Sequence, residues 1–485
     1  MELTITGANY IGATSTKSGL KTFHTFSCRH QQENKAVFHQ ITEDELETVF
    51  QKAAECAQPY ALSSIERRRQ FLQEIIHLLE EHRNTLVRQF CEESSLLAER
   101  ANVELTRTQK QIKTYIDAIS GEKWDCVSSE FSDGISFEKK LFPFGPVVVF
   151  GASNFPFAYS TIGGDVASAL AAGNPVIYKA NPFHAGVSEM VTQIILKAAK
   201  RAFLPDGVFS LVQGEDYWIG GKLLKDERVQ AVGFTGSVRG GVALLNYAKE
   251  RVTPIPVFCE MGSLNPTFIF KDALENRLDE MVEKLSFAIQ NDAGQFCTKP
   301  GLIFVEGDKA TSFIDKMKTQ FESANAIPML HPSIYEVYEK LSAAFDSKDV
   351  FQNTQEAPKY SVKPKLMVIT FEQFLASKIA KEEVFGPFSI IVTCANTFEM
   401  KQGATSIGGH LTASFWTAET LSEEWLYWAS KTVGRVVLNG VSTGVQVIDS
   451  MHHGGNFPAT SDCRFTAVGK DAIYRFLQPV TIQEN

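Results

Sequence analysis

The chain has 485 residues, 44% of them hydrophobic and 21% charged, and a net charge of −9. That length exceeds what one compact core holds, so two or three domains are expected. The acidic balance excludes a nucleic-acid binder working through a basic face, and no apolar run approaches the roughly 20 residues of a membrane span. Residues 1–7 carry neither a basic nor an apolar segment, so no secretory signal is expected. Eight cysteines are spread singly without metal or disulfide spacing, which fits a reducing cytoplasm.

In chain order, the first signals are helix starts. Thr42-x-x-Glu45 reads as a capping box before Leu46, Val49 and Phe50. Ser63-x-x-Glu66 reads as a second, before Phe71, Ile75 and Leu79 at helical spacing. Residues 124–141 look like a hairpin turning at Asp133-Gly134. From about 142 the texture changes. Short β-branched runs at 146–150, 176–178, 208–212, 231–234 and 255–260 alternate with helical patterns at 164–172, 184–202, 218–224 and 238–250. Such alternation predicts a parallel sheet covered on both faces, with ligands at the carboxyl ends of its strands. A second α/β region follows at 262–441, with a helix at 278–289 and a strand at 302–305. Residues 478–483 look like a lone strand, and this strand and the hairpin are expected to extend another subunit's sheet.

Four features carry chemistry. Cys297 lies in Asn291-Asp-Ala-Gly-Gln-Phe-Cys-Thr-Lys-Pro-Gly301, a polar, Gly-bearing segment of the kind that places a nucleophile rather than a core residue. Phe234-Thr-Gly-Ser237 is a strand-to-helix turn: Gly236 lets the backbone approach a phosphate, and Ser237 adds a hydroxyl. There is no GxGxxG. Lys179 closes the second strand, where a group for the adenosine ribose is placed. Glu260 follows four largely apolar residues, so desolvation is expected to raise its pKa toward that of a general base.

Together these residues resemble the aldehyde dehydrogenase superfamily over nearly the whole chain. The matches are Asn154-Phe-Pro156, Lys179, Phe234-Thr-Gly-Ser237, Glu260-Met-Gly-Ser-Leu-Asn-Pro266, Gly294-Gln-Phe-Cys297 and Glu382-Glu-Val-Phe-Gly-Pro387, with Ser263 where a second glycine is usual. The resemblance implies an α/β fold: a Rossmann-like NAD(P)-binding domain (1–123 and 142–261), a catalytic domain (262–465) and a small β oligomerisation element (124–141 and 466–485). It implies that Cys297 attacks an aldehyde and that Asn154 and the Cys297 N–H hold the oxyanion. Glu260 then activates water, so the product is a free acid and no coenzyme A is needed. Lys179, Gly236 and Ser237 would hold the adenosine side of the cofactor, and Glu383 and Phe385 the nicotinamide side. No metal is expected. Pro182 stands where NAD-selective members carry a repelling glutamate, and Tyr217 where NADP-preferring ones carry an arginine. Both NADP and NAD are therefore expected as cofactors, with NADP slightly ahead.

Finer texture around Gly163–Gly173, Gly434–Gly440 and His453–Thr460 is similar to the subgroup of 2,5-dioxopentanoate and NADP-dependent fatty aldehyde dehydrogenases. An acidic substrate would want a basic group, for which Arg435 and Lys299 are the candidates, and a fatty one an apolar tunnel; Phe155, Phe157 and Phe296 could line either. His453, among glycines, is a candidate proton relay, with His452 weaker. A small aldehyde is the expected partner, in a homodimer or homotetramer, with neither nucleic acid nor membrane.

Overall fold

The alternating pattern after residue 142 does fold into a parallel sheet, as seen in a computed structural model describing residues 2–121, 124–307, 309–345 and 349–485. Its seven strands run in the order Val257–Glu260, Ala231–Thr235, Val147–Phe150, Val176–Lys179, Phe209–Val212, Asn9–Ile11 and Thr14–Thr16. The first five are mutually parallel, and Asn9–Ile11 joins antiparallel with Tyr10 opposite Leu211. Sequence periodicity does not reveal that N-terminal strand, because three residues are too few to show a period. Val147–Phe150 comes first in the parallel series yet lies between Val176–Lys179 and Ala231–Thr235. The strand order therefore reverses there, which opens a ligand crevice at the carboxyl ends.

Alternation along each strand feeds two cores. Val147, Val149, Val176 and Tyr178 face one, with the helices Ile65–Glu81, Ala98–Ala118 and Ala185–Arg201. Val148, Ile177, Val212 and Val232 face the other, with Glu43–Ala61 and Tyr217–Lys225. Each such side chain contributes roughly 1.5–3 kcal/mol by leaving water. An acidic residue at Val148 would strand a charge in that layer.

Thr42 caps Glu43–Ala61 with the reciprocal Glu45 bond of a capping box. The second cap falls one residue later than expected. Ser64, not Ser63, accepts from Arg67 N at 3.3 Å, and Ser63 instead donates to Tyr60 O at 2.6 Å.

The second region is also a seven-stranded sheet, in the order Val350–Phe351, Lys365–Thr370, Phe388–Cys394, Leu302–Glu306, Thr267–Ile269, Thr412–Trp416 and Arg435–Leu438. All but the first are parallel. Phe268, Leu302 and Phe304 pack on one face, Ile269, Ile303 and Val305 on the other.

The hairpin is Cys126–Ser132 and Ile135–Pro143, and Asp133 and Gly134 both take positive φ (52° and 83°), as its two-residue turn requires. Leu477–Glu484 is not a lone strand. It pairs antiparallel with Ile135–Pro143 of its own chain, making a three-stranded sheet whose two outer strands are largely exposed. The expected boundary at 466 also shifts: Ala472, Ile473 and Phe476 are buried in the first region's core, so only the last residues join the small sheet. Among the described residues, no helix is long and apolar enough to cross a membrane, and all eight cysteines are free.

Candidate active site

On the nucleotide side, the groups stand at the carboxyl ends of parallel strands. Gly236 and Ser237 are exposed where Ala231–Thr235 gives way to the helix Val238–Lys249. Ser237 Oγ accepts from Gly240 N at 3.2 Å, which leaves its own proton free to donate to an anion at the helix N-terminus. Lys179 is turned inward: Nζ donates to the carbonyls of Ala180 (2.7 Å) and Gly214 (2.6 Å). Burial brings its pKa down to about 8, while Glu215 works the other way. Glu215, an exposed carboxylate, went unnoticed in the sequence because it is near Lys179 only through strand pairing. Tyr217 is 81% exposed and opens the following helix. Glu383 lies against Gly262, where a Cβ would sit 2.1 Å from Glu383 Oε2, so this close approach requires the glycine. An exposed glycine turn, an available hydroxyl at a helix start, a half-free lysine and a carboxylate over a glycine together fit a dinucleotide.

The cysteine side is built by backbone strain held from outside. After Leu278–Gln290 the chain takes three successive left-handed residues, Asp292, Ala293 and Gly294 (φ 49°, 54° and 61°). Gly294 has no room for a side chain, since a Cβ would lie 2.5 Å from Ile289 O. Arg100 Nε donates to Asp292 Oδ2 at 2.9 Å and fastens this turn to Ala98–Ala118. Asn265 Nδ2 donates to the carbonyls of Cys297 (2.8 Å) and Lys299 (3.0 Å). Sequence reasoning quoted Asn265 within the glutamate motif but did not see that it pins the nucleophile's loop. The Cys297 N–H has no hydrogen-bond partner among the described residues. Asn154, buried, spends one N–H on Gln295 O at 2.9 Å and keeps the other.

Glu260, Cys297 and His453 converge, with one ligand atom from each lying within 4.8 Å of the others. His453 Nε2 is 3.9 Å from Cys297 Sγ and 3.0 Å from Glu260 Oε1. The latter contact has ion-pair distance without hydrogen-bond alignment, so both Glu260 oxygens lack a hydrogen-bond partner among the described residues. Glu260 is held by its backbone. Its carbonyl accepts from Gly236 N at 3.0 Å, and it bridges Thr460, so the glutamate is tied to the Gly236 turn and to the loop that follows His453.

The electrostatics correct one expectation. Burial is the largest influence and pushes the Glu260 carboxyl up, but His453, Arg475 and the Cys297 thiol together outweigh it, and the pKa lies below the usual carboxylate value. Burial and the Glu260 carboxylate push the Cys297 thiol well above its ordinary range, against a smaller pull from Arg107. The resting pair is a thiol beside a carboxylate, not a standing thiolate. Burial raises Glu383 to about 7, opposed by Lys299.

Phe155 and Phe296, the latter next to Cys297 in the chain, pack edge-to-face with ring centroids 5.9 Å apart, and the Arg100 guanidinium lies over both (4.4 and 5.3 Å). Phe157 does not join them. It is fully buried and stacks on Phe90 at 5.1 Å, and Tyr159, two residues on, takes the pocket position beside Phe155 and His453. The reason is local: a distorted turn at Phe157–Thr161, whose first amides bind Glu104, reverses which side chains face inward. Lys299 is likewise not in the pocket; its Nζ donates to the carbonyls of Phe388 (2.5 Å) and Val384 (3.3 Å). Arg435 is half-buried and donates to Ser442 O. Phe385 is half-buried beside Glu383. His452 is turned toward Cys463 O (3.1 Å). A cleft of about 910 Å³ touches Asp292 from outside, but none of Cys297, Glu260 or His453 borders it, so chemistry rather than size locates the site.

Comparison with known proteins gives the family. An alpha-ketoglutaric semialdehyde dehydrogenase of Acinetobacter baylyi is 33% identical over 498 residues, covering 98% of this chain and 93% of that protein. An alpha-ketoglutaric semialdehyde dehydrogenase of Azospirillum brasilense is 34% identical, covering 99% and 94%. The crystal structure of a 1-pyrroline-5-carboxylate dehydrogenase from Thermus with bound NAD superposes with a TM-score of 0.86 at 19% identity, covering 98% and 92%. With residues 15–481 matching the aldehyde dehydrogenase family, the chain belongs to that family and is an aldehyde dehydrogenase.

Proposed function

We propose that this enzyme oxidises 2,5-dioxopentanoate, the semialdehyde of α-ketoglutarate, to the free dicarboxylic acid with NAD or NADP as cofactor. The observation that carries the mechanism is the convergence of Cys297, His453 and Glu260. The substrate rests on the two alpha-ketoglutaric semialdehyde dehydrogenases, similar over almost the full chain.

Because the Cys297 thiol holds its proton more tightly than Glu260 would, attack on the aldehyde is coupled to loss of that proton toward the His453–Glu260 pair. The thiolate carbon–sulfur bond forms as the carbonyl oxygen gains charge. The free N–H of Asn154 and the open Cys297 N–H receive that oxyanion, each contributing on the order of 3 kcal/mol. When bound, the nicotinamide supplies the hydride acceptor that makes the adduct a thioester. Lys179, Gly236 and Ser237 hold the adenosine and pyrophosphate end, Glu383 and Phe385 the nicotinamide end. Once the proton taken from Cys297 has passed on to solvent, Glu260, whose carboxylate lies 3.0 Å from His453 Nε2, takes a proton from water as the water attacks the thioester carbon. The carbon–sulfur bond breaks and Cys297 recovers its proton. This route is non-acylating. Glu215, whose charge acts on Lys179, favours NAD, while Pro182 carries no charge against a 2′-phosphate and leaves NADP open.

A fatty aldehyde is the second reading, favoured by the rings of Phe155, Tyr159 and Phe296. Absorbance at 340 nm separates the two, with 2,5-dioxopentanoate and decanal each tested with NAD+ and NADP+. The proposal expects kcat/KM for the oxo acid to exceed that for decanal; the reverse order sinks it. Turnover without nucleotide would favour a cofactor-independent esterase instead.

A further inference from the structure

Arg107 and Arg435 both carry charge that reaches Cys297, and neither forms an ion pair among the described residues. Arg107 lies on Ala98–Ala118, three residues after Glu104. Glu104 would be its natural partner on the helix face, but its oxygens are occupied. Oε2 accepts from Arg100 Nη1 at 2.7 Å, and Oε1 accepts the amides of Phe157 and Ala158 at 2.8 and 3.0 Å. Arg107 is left with Tyr159 Oη at 2.8 Å from Nη2 and a long contact from Nε to Val445 O at 3.4 Å. Its Nη1 has no partner among the described residues.

These contacts lead directly to the reacting sulfur. Arg107 stands over the Tyr159 ring at 4.9 Å, and that ring is 5.8 Å from His453. His453 Nε2 is in turn 3.9 Å from Cys297 Sγ. Arg435 comes from the other sheet, as the first residue of Arg435–Leu438. It donates to Ser442 O, and the Ser442 hydroxyl donates to Thr298 O at 2.7 Å, beside the nucleophile. Arg435 Nε is buried without a partner. The charges of both arginines are felt at Cys297 and Tyr159.

A partly buried guanidinium without a counter-charge costs free energy, and two whose charges both reach Cys297 and Tyr159 make an arrangement that an anion relieves. A carboxylate matches the planar donor fork of arginine, and the Tyr159 hydroxyl, which accepts from Arg107, keeps its own proton to donate. In a short oxo acid the carboxylate is only a few bonds from the aldehyde carbon. We infer that Arg107 and Arg435, with the Tyr159 hydroxyl that Arg107 binds, form the subsite that grips the carboxylate of the substrate while its aldehyde carbon rests at Cys297. This rests on the oxo-acid reading above and assigns its selectivity to particular side chains.

The test compares wild type with Arg107→Met, Arg435→Met and the conservative Arg107→Lys, using 2,5-dioxopentanoate and pentanal, an uncharged aldehyde of equal chain length. Quenching of protein fluorescence by NADH confirms a folded nucleotide site. The ratio of kcat/KM for oxo acid over pentanal is expected to fall on the order of 10- to 100-fold in each Met variant, mostly through KM. Arg107→Lys should recover part of it. If wild type prefers the oxo acid and both Met variants keep that ratio, the arginines are structural and the subsite is wrong while the substrate stands. If wild type shows no preference, the substrate reading itself fails and takes the subsite with it. Inhibition of wild type needs no variant to fold. Glutarate should compete with the oxo acid at least tenfold better than its uncharged diamide, and equal inhibition overturns the inference.

Discussion

The two seven-stranded sheets present opposite ends to the site. The first offers carboxyl ends: Lys179 closes its strand, Glu260 closes another, and Gly236-Ser237 follow a third. The second offers amino ends: Asn265, Cys297 and Glu383 precede strands, and Arg435 begins one. At carboxyl ends the helices that follow point their N-termini at the ligand, which suits a phosphate-bearing cofactor. The amino ends carry irregular backbone, here the left-handed run Asp292–Gly294, which can aim a single sulfur. The first sheet is thus suited to holding and the second to reacting, with Glu260 the exception that crosses from one to the other.

Breaking the reacting side should have the largest effect. Cys297→Ala is expected to lower aldehyde oxidation by on the order of 10⁴-fold or more while NADH still binds, measured by steady-state rate and fluorescence titration. Loss of nucleotide binding as well would mean that the cysteine loop supports the first sheet. Glu260→Gln tests the exception. It should slow the steady state by about 10²–10³-fold yet leave a first-turnover burst of NAD(P)H, because hydrolysis fails after the thioester forms. An unchanged steady state removes Glu260 from the chemistry.

Titration sharpens the contrast further. Since burial and Glu260 raise the Cys297 thiol, its thiolate is scarce at neutral pH and grows as pH rises. Iodoacetamide inactivation of nucleotide-free protein should therefore accelerate about tenfold per pH unit through neutral and mildly alkaline pH. A rate already level at pH 7 would falsify that assignment. The smallest effect belongs to the holding side. Lys179→Met should raise the nucleotide KM about tenfold with kcat little changed, and should cost about 1–3 kcal/mol of stability by leaving the Ala180 and Gly214 carbonyls unpaired. A fall in kcat without a change in KM would place Lys179 on the reacting side.

The sequence by itself determined the alternation of strands and helices and the parallel sheet, and it put forward Cys297, Glu260, Asn154, Lys179, Ser237 and Glu383 as candidates, because each sits in a local motif whose spacing is visible along the chain. It carried the hairpin turn too, since Asp133-Gly134 is chemistry confined to neighbours. What only the tertiary structure decided are relations between distant segments. Periodicity offered Phe157 to the pocket, and a distorted turn gave that place to Tyr159. Desolvation argued for a raised Glu260, and a histidine from a loop nearly 200 residues away, together with Arg475 and the Cys297 thiol, reversed the direction. Arg107 lay unremarked on a long helix until its partner Glu104 was seen to be taken by two amides and a second arginine. Local sequence fixes backbone geometry through short-range sterics and hydrogen bonds. Which charges are paired, and which buried groups remain open to a substrate, depends on contacts that form only when the sheets come together.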